Sequence, residues 1–111
     1  MTPRGADHYR DILHQLRLGL ERIYGPRLKD LILYGSYARG EADAGSDVDV
    51  LLVLDDFADD FAEIERTLDL VAGLSLEHNT VISLVPVRDQ EWRERRSSFL
   101  MNVGREGVRM E

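Results

Sequence analysis

Between residues 7 and 24, apolar side chains fall at Tyr9, Ile12, Leu13, Leu16, Leu20 and Ile23, spacings of three and four that place them on one helix face. Gly25-Pro26 stops that helix, since proline restricts its predecessor and offers no N–H to the ladder. Two short apolar runs follow, Leu28–Tyr34 (LKDLILY) and Val48–Leu54 (VDVLLVL), and each reads as a strand. The segment between them, GSYARGEADAGS, is small, polar and too short for a full helix after its turns. A second long helix is predicted from a cap at Asp59 or Asp60 to about Leu74, with Phe61, Ile64, Leu68 and Val71 as its buried stripe and Gly73 near its end. Residues 81–87 (VISLVPV) make a third strand, in which Pro86 marks an end or an edge position. The tail predicts a short helix over residues 91–96 and another from a Ser97 or Ser98 cap toward Gly104. This order implies an α/β domain with a small mixed β-sheet flanked by helices. The helical crossover favours a parallel pairing of the second and third strands.

Length and charge narrow the picture. A chain of 111 residues suits one domain with a modest core. Its net charge of −7 opposes nucleic-acid phosphates. The arginines near the C-terminus (Arg88, Arg93, Arg95, Arg96, Arg105, Arg109) are interleaved with Glu91, Glu94 and Glu106, as on a solvated helix face. No direct nucleic-acid binding is therefore expected; a divalent cation or a basic protein partner fits the charge better. No apolar run approaches the ~20 residues that span a bilayer, and the N-terminus has no uninterrupted apolar stretch of the export type. No membrane association is expected, and the cytoplasm is the expected compartment. The absence of cysteine excludes disulfides and thiolate metal sites.

Candidate chemistry concentrates in residues 35–49. Asp47 and Asp49 stand two apart at the start of a strand, so their carboxylates share one face, about 6.5–7 Å apart along the chain. A hard, oxygen-rich pair of this kind suits Mg²⁺, which completes its shell with waters and substrate phosphates. A half-buried strand does not hold two acids on one face without partners, because unpaired charge is costly to bury. Gly35-Ser36 closes the preceding strand, where glycine lets a phosphate approach the backbone and the serine hydroxyl can donate to it. Arg39 and Gly40 follow within a turn, and Arg39 either faces the phosphates or pairs with Glu41 or Asp43.

Gly35-Ser36, ten intervening residues (37–46), then Asp47-Val48-Asp49 resembles the signature of the DNA polymerase β-type nucleotidyltransferase superfamily. The fuller string GSYARGEADAGSDVDVLLV is similar to the minimal nucleotidyltransferases, often the antitoxin halves of two-gene modules with HEPN-domain ribonucleases. The resemblance implies a polymerase β-type nucleotidyltransferase fold formed by residues 1–111 as a single minimal domain. It further implies ATP held with Mg²⁺ by Asp47 and Asp49, which would also be catalytic, and nucleotide-binding roles for Gly35, Ser36, Arg39 and Gly40. The implied reaction transfers AMP to a protein acceptor, a HEPN-type toxin being the expected partner. Family members also supply a third acidic residue from the next core strand. Here that strand reads Asn79-Thr80-Val81-Ile82-Ser83-Leu84-Val85, and Thr80 or Ser83 takes the place of the carboxylate.

Other motifs fail on their own chemistry. Gly35 to Gly40 has a P-loop spacing, but Glu41 stands where lysine is needed. An EF-hand starting at Asp43 would have Val48 in place of its glycine and Leu54 in place of its glutamate. His8, His14 and His78 lack ligand spacing, and no serine sits in a nucleophile elbow. Trp92 and Phe99 are expected to anchor the C-terminal helices. Two functions stay open: an adenylyltransferase acting on a toxin, and a catalytically weak nucleotide-binding antitoxin that neutralises its partner by masking it. A transferase acting on a small molecule fits less well, because so short a chain leaves little room for an acceptor domain.

Overall fold

Strand β1 (Leu28–Tyr34) and strand β2 (Val48–Leu54) pair antiparallel, with Tyr34 opposite Asp49 and Leu33 opposite Val50. The computed structural model describes residues 4–43 and 45–110, and the remaining elements are arranged around this pair. Helix α1 (Arg4–Tyr24) leads through a 3-10 turn at Gly25–Arg27 into β1, and a short helix α2 (Gly35–Arg39) follows it. Helix α3 (Asp60–His78) crosses from β2 to β3 (Ile82–Arg88), and the parallel β2–β3 pairing sets Asp49 beside Ser83. Helices α4 (Asp89–Glu94) and α5 (Ser98–Glu106) and the two-residue strand β4 (Val108–Arg109) complete the chain. The sheet order is β3-β2-β1-β4, so Pro86 lies on an edge strand, where its missing N–H leaves no gap in a ladder.

Alternation along β2 divides the core. Val48, Val50, Leu52 and Leu54 pack with Ile12, Leu16, Leu20 and Leu74 beneath α1 and α3. Leu51 and Val53 face the other way, onto Ile32, Val87, Trp92, Leu100 and Val103 under α4 and α5. Because β2 is covered on both faces, it reads as a continuous apolar run rather than an alternating one. Caps fix the helix starts: Asp59 accepts from the Phe61 amide, and Ser97 Oγ accepts from the Leu100 amide. Trp92 is buried as an anchor, whereas Phe99 is partly exposed and stacks edge-on against Tyr34.

The segment after β1 holds no full helix, only the short turn of α2. Two expectations need correction. Helix α3 runs past Gly73 to His78, ending where Asn79 adopts a left-handed conformation. Most consequentially, α3 buries the opposite face from the one its apolar spacing suggests. Phe61 and Leu68 are 65% and 56% exposed, and Ile64 is exposed as well. The buried positions are Glu63, Thr67 and Leu74, with Leu70 and Val71 packed beside them. Polar groups survive there because each finds a partner: Tyr24 donates to Glu63 at 2.9 Å, Arg66 pairs with Glu63, and the Thr67 hydroxyl donates to the carbonyls of Glu63 and Ile64. This orientation predicts that Leu74→Ala destabilises the protein by about 2–5 kcal/mol, while Leu68→Ala stays within about 0.5 kcal/mol. Urea unfolding of the two variants checks it, and the reverse ranking would refute the assigned face.

Candidate active site

The register of the three central strands assembles the site. Tyr34 ends β1 directly across from Asp49, so the Gly35-Ser36 turn meets the start of β2. The parallel partner of Asp49 on β3 is Ser83, on the same face; Thr80 lies before that strand. Asp49 shares its face with Leu51 and Val53, which places it at the open end of the α4–α5 layer. Asp47 stands exposed one residue before β2.

Gly35 is where the chain bends from strand into α2, with φ +73. A Cβ on this residue would come within 2.3 Å of Asp49 Oδ2, so glycine lets the turn lie this close without displacing the carboxylate. Gly40 ends α2, also at φ +73, and its N–H bonds back to Ser36 and Tyr37 carbonyls. The Glu41 amide bonds to the Ser36 carbonyl at 2.9 Å, which further tightens the turn. Asp43 is occupied locally: its Oδ1 accepts from the Gly45 amide and from Ser46 Oγ.

Charge at this point is poorly compensated. Burial raises the Asp49 pKa above the ordinary carboxylate range, the Asp47 charge raises it further, and Arg39 opposes both. Among the described residues neither aspartate accepts a hydrogen bond or makes an ion pair, and the Ser36 hydroxyl has no hydrogen-bond partner. Tyr34 is pushed up to about 12 by burial and then by the Asp49 charge. Arg39 is held by Glu41 at 3.1 Å and by Glu106 at 3.2 Å, which ties α2 to α5. Two surface hollows, of about 350 and 370 Å³, lie along β1 and β4 and include neither aspartate.

Residues 13–102 match the model of the nucleotidyltransferase domain. The chain belongs to that family. Within it, two proteins of Methanocaldococcus jannaschii provisionally named protein adenylyltransferases are similar: one is 34% identical over 79% of this chain and 83% of its own length, the other 29% identical over 88% and 94%. A crystal structure provisionally named as a nucleotidyltransferase of Sulfolobus solfataricus superposes with a TM-score of 0.65 over 98% of this chain and 87% of that one, at 17% identity, which concerns the fold. A toxin–antitoxin crystal structure with AMP-PNP superposes with a TM-score of 0.57 at 25% identity, over 85% of this chain and 68% of that one.

Gly35 lies against Asp49, the charges of Asp47 and Arg39 are both felt there, Ser36 follows Gly35 in the turn, and Gly40 closes it. The place beside Asp49 on the next strand is taken by Ser83, and no group of three or more His, Cys, Asp or Glu suited to a metal ion occurs among the described residues. No local pattern signals Glu106 as a partner of Arg39 or Phe99 over Tyr34, since both depend on how the tail folds back. Gly35→Ala and Gly40→Ala both force a left-handed backbone on alanine, at about 1–3 kcal/mol each. Only the first also meets Asp49; nothing lies within 4 Å of a Cβ at Gly40. Gly35→Ala is therefore the more destabilising, and Asp49→Ala narrows the gap. Equal effects of the two glycine substitutions in urea unfolding would refute the close approach.

Proposed function

We propose that the protein binds Mg–ATP across the Gly35-Ser36 turn and the Asp47/Asp49 pair and transfers AMP to a hydroxyl of a protein partner. The observation that carries this reading is an aspartate pair, one member half-buried, that makes no hydrogen bond or ion pair among the described residues and lies beside a tight glycine turn. The residues fit a divalent cation, since carboxylate oxygens repelling one another across an open face are what a hard cation relieves. Bound there, Mg²⁺ supplies neutralisation of the triphosphate and polarisation of the phosphoryl group.

The chain's own residues would do the remainder. Ser36 Oγ and the amides of the first turn of α2 donate to phosphate oxygens, since amides opening a helix have no intrahelical acceptor. Arg39, already anchored by two glutamates, adds positive potential. In the transfer, the acceptor oxygen bonds to the α-phosphorus, the bond from that phosphorus to the β-bridging oxygen breaks, and pyrophosphate leaves. The acceptor's proton passes to a base. The names of the M. jannaschii relatives support AMP transfer to protein, and the toxin–antitoxin structure with AMP-PNP supports an adenine nucleotide and a toxin partner; the HEPN type is what the resemblance of the Gly35–Asp49 motif implies.

Ser83 favours a second reading, a nucleotide-binding antitoxin that acts chiefly by masking its partner. A hydroxyl beside Asp49 is a poor base near neutral pH. A tyrosine acceptor, with an unperturbed pKa of about 10, needs help losing its proton.

Calorimetry with ATP and Mg²⁺ is expected to show one site, abolished by Asp47→Asn with Asp49→Asn. Ser36→Ala is expected to weaken binding by about 1.5–3 kcal/mol, the range of a hydrogen bond to a charged group, with the melting temperature nearly unchanged. Undiminished affinity in the double variant would remove the site. Ser83→Asp is expected to raise AMP incorporation into a HEPN-type partner, followed by mass spectrometry, above a slow wild-type rate. Rapid wild-type transfer would instead show that no third carboxylate is needed on β3.

A further inference from the structure

Helix α3 carries its most apolar stripe on the outside. Phe61, Ile64, Leu68, Ala72 and Leu76 recur every three or four residues along the face turned away from Glu63, Thr67 and Leu74. Exposure reaches 83% at Leu76 and 65% at Phe61, and Val81, just beyond the helix, is also exposed. Isolated exposed apolar side chains are ordinary, but an aligned row on one helix marks an interaction surface. The inward face is the less apolar of the two, holding a glutamate and a threonine whose polar groups need four hydrogen bonds and ion pairs to be tolerated.

We propose that this outer face of α3 docks an amphipathic helix with basic flanks, supplied by a different protein. Charge selects that occupant. Glu65 and Asp69 border the stripe, are exposed, and make no ion pair among the described residues. The one arginine of α3, Arg66, is engaged by Glu63, so the rim is acidic. A second copy of this chain would bring the same carboxylates and another net charge of −7 to the contact. A basic helix instead buries its apolar side on the stripe and pairs its flanks with Glu65 and Asp69.

The surface is separate from the aspartate pair. Helix α3 packs on the face of Val48, Val50 and Leu52, whereas Asp49 points to the face of Leu51 and Val53. A docked helix therefore leaves the nucleotide site open, and the proposal does not rest on the transfer reaction.

The test uses two labelled peptides of one amphipathic pattern, an 18-residue leucine–lysine helix and its leucine–glutamate counterpart, followed by fluorescence anisotropy near physiological salt. The leucine–lysine helix is expected to bind the wild-type protein, at least tenfold more tightly than the leucine–glutamate helix, with or without Mg–ATP. Phe61→Asp with Leu68→Asp is expected to weaken it at least tenfold, although the added negative charge would strengthen a merely electrostatic contact. Leu76→Asp, at the most exposed position, gives a second loss that cannot come from unfolding, and thermal melts of all variants check this. Unchanged or tighter binding by the variants, or equal binding of both peptides, overturns the proposal. So does sedimentation showing a wild-type dimer that the double substitution dissociates, which would make the occupant a second copy.

Discussion

The β1–β2 register brings a backbone turn against a carboxylate, and most of the structure serves to hold that approach. With Tyr34 opposite Asp49, the chain leaving β1 must bend at once, and Gly35 does so at φ +73 with no room for a Cβ beside Asp49 Oδ2. One residue of slip in this pairing would turn Asp49 toward the α1–α3 core and Val50 toward the site. Apolar packing on both faces of β2 fixes the register, since every other residue belongs to one buried cluster or the other. The two layers of helices are thus what positions a polar site at one end of an apolar strand.

Electrostatics then gives the site its character. Several acids near the surface find arginines: Asp55 with Arg27, Glu91 with Arg88, Asp30 with Arg109. Even the C-terminal arginines are drawn into such pairs, as Arg93 with Asp89 and Arg96 with Glu94. Asp49 is left in the field of Asp47, and Arg39, whose charge offsets it, is shared with Glu41 and Glu106. Such an arrangement disfavours the charged form of Asp49 in the absence of a cation and makes a cation the natural complement.

Much of this was legible in the sequence. The strands were plain because β1 and β2 are apolar runs between turn formers, and the spacing of Gly35-Ser36 and Asp47-Asp49 marked them as the candidate site. The crossover helix between β2 and β3 fixed their parallel pairing. What stayed hidden depended on contacts distant in sequence. Residues 61–74 contain two candidate apolar faces, and the one that packs includes Glu63 and Thr67, which are tolerable only because Tyr24 donates to Glu63 across the α1–α3 contact. Choosing between Thr80 and Ser83 beside Asp49 needed the strand register. The two-residue β4 and the Glu106–Arg39 pair arise from the tail returning to β1 and α2, and no local pattern announces either.

The proposed function requires a cation and a triphosphate to meet at the start of β2. Amide spectra of isotopically labelled protein titrated with Mn²⁺ and ATP test this directly, because the paramagnetic ion broadens only nearby resonances. The account predicts that broadening centres on Gly35, Ser36, Asp47, Asp49 and Ser83 and spares the outer face of α3. Broadening centred instead on the hollow lined by Lys29, Arg95 and Arg109, with Asp47 and Asp49 unaffected, would contradict it.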